Sequence, residues 1–173
     1  MLRIGRGIWR GRILRPDLKG VRPTPSRVRE ALMSILGSRI EGAVVWDLFC
    51  GSGAFGVECL SCGASSVVFV DSSPRNLVRI RQFIDLQNGK YQFNTVRGKL
   101  PAALERLKEP ADIVFMDPPY DSACIYSWIA SFSWQKKVNR GGIVVAESSS
   151  VTLLGEAWKL RNYGDTRLHM LEV

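Results

Sequence analysis

Asp117-Pro118-Pro119-Tyr120 puts a carboxylate, two rigid imide carbonyls and a flat aromatic ring within four residues. The prolines hold the backbone extended and remove two N–H donors, so nearby carbonyls point outward without competing donors. Asp117 and the Pro118 carbonyl can together accept both hydrogens of a planar exocyclic NH2 group. Tyr120 offers a face for the base that carries the amine, a stacking contact worth roughly 1–3 kcal/mol. A bare structural turn after a strand is the alternative for these four residues.

A second constellation lies upstream. Gly51-Ser52-Gly53-Ala54-Phe55-Gly56 fits the G-x-G-x-x-G pattern, and Asp71 stands 20 residues after Gly51. Such glycines allow a tight strand-to-helix turn and close approach of a nucleotide-like ligand to the main chain. The helix that follows aims its free N–H groups and positive end at that loop. Asp71 can accept from both ribose hydroxyls of an adenosine, which NAD and S-adenosylmethionine both carry. Asp47, just ahead of the glycines, would repel a diphosphate but suits a cationic amino-acid end. That favours S-adenosylmethionine. His169 is the only histidine and is distant in sequence from both motifs, so no histidine base, metal cluster or nucleophile–histidine pair can be assembled. Methyl transfer from a sulfonium needs none, since aligning amine and methyl can supply roughly 7–11 kcal/mol of the barrier.

These groups require a frame. From Ala43 onward apolar strands and amphipathic helices alternate. The spacing predicts strands at Val44–Trp46, Ser66–Asp71, Tyr91–Arg97, Asp112–Asp117 and Gly142–Glu147. Helices are expected over Ala54–Ser61, from Pro74 to the Asn88-Gly89 stop, over Pro101–Lys108 and over Ile125–Phe132. Trp158–Tyr163 and Arg167–Val173 read as a terminal hairpin around Gly164-Asp165. Near-continuous apolar strands separated by helices mean a mostly parallel, twisted α/β sheet covered on both faces. Ligands bind such sheets at the carboxyl ends of the strands, beside the point where strand order reverses. Asp47, the glycines, Asp71 and Asp117 all fall at such ends.

The chain has 173 residues, expected to form a single domain over 1–173, and a net charge of +8. Residues 1–29 hold nine of the 24 Lys and Arg side chains and one acid, Asp17, a positive field suited to phosphate. Ile4, Ile8, Trp9, Ile13 and Leu14 alternate with the arginines, which predicts an ordered basic hairpin within 1–21, two short strands around Gly5-Arg6-Gly7, over a solvated tail. A helix is expected to start with Thr24 as N-cap and Pro25 in its first position, and to stop at Gly37. Val28, Leu32 and Ile35 form its buried stripe. Arg22, Arg27 and Arg29 cannot share that stripe and are expected to stay available to a ligand. Cys50, Cys59, Cys62 and Cys124 lie in apolar surroundings and read as reduced, packed thiols. With no apolar run of membrane-spanning length, a cytoplasmic location is expected.

At these residues the sequence resembles class I S-adenosylmethionine-dependent methyltransferases. More narrowly it resembles the RsmD family, which methylates the exocyclic N2 amine of a guanine in bacterial small-subunit (16S) ribosomal RNA. Gly11-Arg12, Arg22-Pro23-Thr24-Pro25-Ser26-Arg27-Val28-Arg29-Glu30, the Asp47–Gly56 stretch and Asp117–Tyr120 carry the likeness. The resemblance implies a Rossmann-like fold, a catalytic Asp117-Pro118-Pro119-Tyr120, and S-adenosylmethionine held by Asp47, Cys50, Gly51, Ser52, Gly53, Asp71 and Ser72. It implies RNA contacts from Arg3, Arg6, Arg10, Arg12, Arg15, Arg22, Thr24, Arg27 and Arg29. Ribosomal RNA, free or in an assembled small subunit, is the implied partner of a monomer that uses neither metal nor membrane. The chain departs from the family pattern at two positions. Lys99 stands where an acid or amide usually meets the adenine, leaving main chain at Lys99–Leu100 as the expected substitute, and Phe83 replaces a common asparagine. Alternatives are a DNA adenine-N6 or cytosine-N4 methyltransferase, a protein glutamine methyltransferase, an NAD-dependent oxidoreductase and a non-catalytic RNA-binding module.

Overall fold

Each apolar run that ends in an acid becomes an inner strand. In this computed structural model, residues 2–15, 26–119, 123–149 and 152–173 are described. Seven strands form the main sheet: β3 (Val44–Leu48), β4 (Ser66–Asp71), β5 (Phe93–Arg97), β6 (Ala111–Met116), β7 (Val138–Ser149), β8 (Lys159–Tyr163) and β9 (Thr166–Glu172). Their order is β5-β4-β3-β6-β7-β9-β8. The first five run parallel, and β9 and β8 close the edge antiparallel. Order reverses on either side of β3, whose Leu48 lies level with Val70 of β4 and Met116 of β6.

Side chains alternate between the two faces of each strand, and the core splits accordingly. Val45, Val67, Phe69, Ile113, Phe115, Ile143 and Val145 face helices α1 (Ser26–Leu36), α2 (Ala54–Ser61) and α3 (Pro74–Asp85). Trp46, Leu48, Val114, Met116, Val144 and Ala146 face α4 (Ala123–Ser131) and two short 3-10 turns. Gly56 lets α2 lie against β4, since a Cβ there would come within 2.4 Å of the Phe69 ring.

Several boundaries differ from expectation for local reasons. The Pro101–Lys108 helix is a 3-10 turn over Ala102–Arg106. The fifth parallel strand begins at Val138 rather than Gly142 because Val138 pairs with Ala111 before the register shifts. The third starts at Phe93, and Tyr91 instead packs its ring 4.6 Å from Trp9. The expected Thr24 cap lies outside the described residues.

The basic arm is ordered, but not as a tight hairpin about Gly5-Arg6-Gly7. Its strands, β1 (Leu2–Arg3) and β2 (Ile13–Leu14), are two residues each. The loop between them is bound to the C-terminal end of α2: Ile8 N–H donates to the Ser61 carbonyl (2.9 Å), and Trp9 N–H to Ser61 Oγ (2.9 Å). Trp9 is buried against Phe83 and Tyr91, which explains an aromatic at position 83. Ile8, expected on the apolar side, is 69% exposed.

Arg29 corrects the sequence reading most sharply. It was expected to face a ligand, yet it is buried, and its Nε donates to Glu58 Oε2 at 2.9 Å. Its Nη2 donates to the Arg3 carbonyl (3.1 Å), while Glu58 Oε1 accepts from Gly5 N–H (3.2 Å). One buried ion pair thus ties α1, α2 and the arm together.

Candidate active site

The corner after β3 is built by backbone geometry that its residue types permit. Phe49 turns the chain with φ 59°, an uncommon value for a non-glycine residue, and Cys50 N–H then donates to the Val70 carbonyl (3.0 Å). Gly53, at φ 72°, opens α2, and a Cβ there would stand 2.5 Å from Ile80 of α3. The loop is therefore packed against α3 at Gly53, where only a glycine fits.

Three carboxylates converge on this corner. Asp47 Oδ2 accepts from Gly56 N–H at 2.9 Å, so the acid is fixed under the loop with only 2% of its surface exposed. Asp71 accepts from Gly51 N–H through Oδ2 (2.8 Å) and from Ser73 N–H through Oδ1 (2.7 Å). A carboxylate has about four lone-pair positions, so Asp71 retains capacity for ribose hydroxyls. Asp117 follows β6 directly and is half-buried, with Pro118 buried and Pro119 exposed beyond it. Burial pushes the Asp47 carboxyl well above the usual carboxylate range; Gly56 N–H opposes this, and the charges of Asp117 and Asp71 add to it. Asp117 thus stands within electrostatic reach of the glycine corner. Burial, with Asp47 and Asp71, likewise raises the Cys50 thiol, which keeps it protonated and non-nucleophilic at neutral pH.

A raised native pKa means that the folded state holds a proton the unfolded chain gives up. The derivative of stability with pH is then negative, so Asp47 lowers stability as pH rises from the ordinary carboxylate range through its native value. Asp47→Asn keeps a carbonyl acceptor for Gly56 N–H and removes this dependence. Urea denaturation across that window should show the wild type losing stability relative to the variant as pH rises; parallel curves would exclude an ionising Asp47. A bound cation would relieve the same penalty, and the three carboxylates Asp47, Asp71 and Asp117 fit a cationic ligand.

Other expected residues are placed less centrally. Ser52 is half-buried in the corner and Ser72 exposed beside Asp71. Lys99 points its exposed side chain away from the core, and its carbonyl already accepts from Ala103 N–H (2.9 Å). Leu100 is buried next to it. Arg97 pairs with Asp71 across the sheet, so Gly98–Leu100 borders the corner. Arg10, Arg15 and Arg27 are exposed. Arg3 donates to the Gly11 carbonyl (3.2 Å), Arg6 to Ser34 Oγ (2.5 Å) and Arg12 to Gln87 Oε1. Tyr120, Arg22 and Thr24 lie outside the described residues.

Glu147 was missed. It is fully buried on β7, one residue beyond Ala146, which pairs with Met116; it therefore lies level with Asp117 on the same sheet face. The signal was present, because Glu147 ends the apolar run Ile143–Ala146 as Asp71 ends Val67–Val70. His169 lies on the opposite face, 2.9 Å from Ser148 Oγ, and burial followed by the charge of Arg167 lowers its pKa. No helix among the described residues is long and apolar enough to cross a membrane.

The family described as conserved hypothetical protein 95 matches residues 2–172. Ribosomal RNA small subunit methyltransferase D of Escherichia coli is 37% identical over 121 residues, covering 69% of this chain and 60% of that protein. The chain thus spans less than two thirds of that relative's length. The Thermus protein TTHA0928 superposes with a TM-score of 0.84 at 27% identity over the whole of both chains, and Escherichia coli yhhF with 0.76 at 28%, over 98% of this chain and 96% of that one. The fold is the Rossmann-like one of class I methyltransferases.

Proposed function

The chain belongs to the conserved hypothetical protein 95 family, and from that premise we propose that it is an S-adenosylmethionine-dependent RNA methyltransferase acting on the exocyclic N2 amine of a guanine in small-subunit ribosomal RNA. The observation that carries this reading is the gathering of Asp47, Asp71 and Asp117 around a glycine corner, a setting for a cation bearing an adenosine. The name of the Escherichia coli relative, a ribosomal RNA small subunit methyltransferase, supports the substrate. The reaction would take place in the cytoplasm, on free RNA or an assembled subunit.

S-adenosylmethionine, when bound, supplies a methyl group already activated on a sulfonium. Asp71 is suited to the ribose hydroxyls, and Asp47 to the amino-acid end. Guanine, turned out of its stack at a cost of a few kcal/mol, presents its amine to Asp117 and the Pro118 carbonyl. Accepting both N–H hydrogens draws the nitrogen lone pair out of conjugation with the ring and toward the methyl group. Methylation of this nitrogen would break the carbon–sulfur bond and release the cofactor as S-adenosylhomocysteine, and one of these hydrogens would leave as a proton, taken by Asp117 or by solvent.

Two measurements test this in turn. S-adenosylhomocysteine at a hundredfold excess over its Kd should add about 2.7 kcal/mol of stability, raising Tm by about 5–10 °C for a chain of this size, while NADH should not; stabilisation by NADH instead would overturn the cofactor. Tritium from labelled S-adenosylmethionine should then appear in small-subunit RNA and not in duplex DNA.

A further inference from the structure

The arm's tip is docked at the wrong end of α2 to meet a base at the corner. Ser61, which holds Ile8 and Trp9, ends a helix whose other end is Gly53, and eight helical residues span about 12 Å. An RNA strand touching both the tip and Asp117 must cross the surface between them. That surface is α3.

We propose that the outer face of α3 is a second RNA-binding surface, which carries the phosphates of the strand between arm and active site; the proposal rests on the RNA reading above. Leu77, Ile80 and Ile84 turn one side of α3 into the core, so Arg75, Val78, Arg79 and Gln82 face outward. The helix is bound to the arm at two levels. Gln87, just past its end, accepts from Arg12, and Arg79 Nη1 donates to the Arg15 carbonyl (3.2 Å). Arg75 stands one turn above Arg79, in the first turn of a helix whose N-cap, Ser73, also donates its N–H to Asp71. Arg12, Arg15, Arg79 and Arg75 therefore form a basic line along α3. It ends beside the carboxylate assigned to the ribose. Asp85 is the only acid on the helix and lies at its far end. Twelve helical residues span about 18 Å, a few nucleotides of extended strand. Arg81 does not belong to this line: it flanks β5, bound to Thr95 and lying over Phe93.

The test is the salt dependence of binding to unmodified small-subunit ribosomal RNA, with the full chain. Each phosphate contact contributes about 0.7–0.9 to the slope of log K against log salt. Arg75→Gln should reduce the slope by that amount, Arg75→Lys should preserve it, and Val78→Lys should increase it. Between about 50 and 200 mM salt, each lost or gained contact changes the affinity ratio about threefold. Cofactor affinity, read by S-adenosylhomocysteine titration, should not move. Wild-type slopes in both Arg75→Gln and Val78→Lys, with a reduced slope in Arg10→Ala/Arg12→Ala, would overturn the α3 surface and leave the RNA reading intact. A wild-type protein with no salt-dependent RNA binding would overturn both.

Discussion

Asp117→Ala should reduce methyl transfer by about a thousandfold or more, the scale on which a positioned proton acceptor or preorganised polar group contributes. S-adenosylhomocysteine affinity should stay within a few fold, because Asp71 and the glycine corner are untouched. Asp117→Asn keeps one carbonyl acceptor but cannot take a proton, so it should lie between wild type and Ala. Removing the Asp117 charge also removes one of the influences that raise Asp47, so the pH dependence of stability should weaken in both variants. Single-turnover transfer at saturating cofactor separates the chemical step from binding. Wild-type turnover by the Ala variant would end the role of Asp117.

Arg29→Met should destabilise the protein by about 3–5 kcal/mol, the cost of leaving one partner of a buried ion pair uncompensated. That is a large part of the roughly 5–15 kcal/mol that holds an ordinary domain folded. Glu58→Leu alone should cost a similar amount. The double variant should recover much of the loss, since an apolar pair of similar volume is often as stable. It should not recover the arm's attachment, because the Arg3 carbonyl and Gly5 N–H would still lack their partners. Urea midpoints report the first effect, and proteolysis within residues 2–15 reports the second. A double variant as unstable as the singles would mean that packing, not charge, dominates the site.

Sequence alone made the sheet legible, and with it which side chains stand at the strand tips, because both depend on short-range patterns. An apolar run ending in an acid marks a parallel strand and its tip in one signal, as at Val67–Asp71 and Ile113–Asp117. Glu147 obeys the same rule and could have been found by it. Arg29 could not. On its own helix it shares the buried side with Leu32, Met33 and Leu36, but nothing nearby in sequence names its partner, and only the packing of α1 on α2 brings it to Glu58, 29 residues away. Phe49 carries no signal either, since an aromatic is among the residues least expected at positive φ. Phe83 is unremarkable until Trp9, 6.0 Å away, arrives from the arm.

The docked arm has a thermodynamic consequence. With Trp9 sealed in the core and main-chain bonds to Ser61, these residues have already surrendered their conformational freedom when the protein folds. A disordered basic tail would surrender it at each encounter with its polyanion, weakening the complex by the cost of immobilisation. Here that cost falls on folding, so RNA binding by residues 2–15, on the function proposed above, should carry a small conformational-entropy penalty beside its counterion release and a rapid onset.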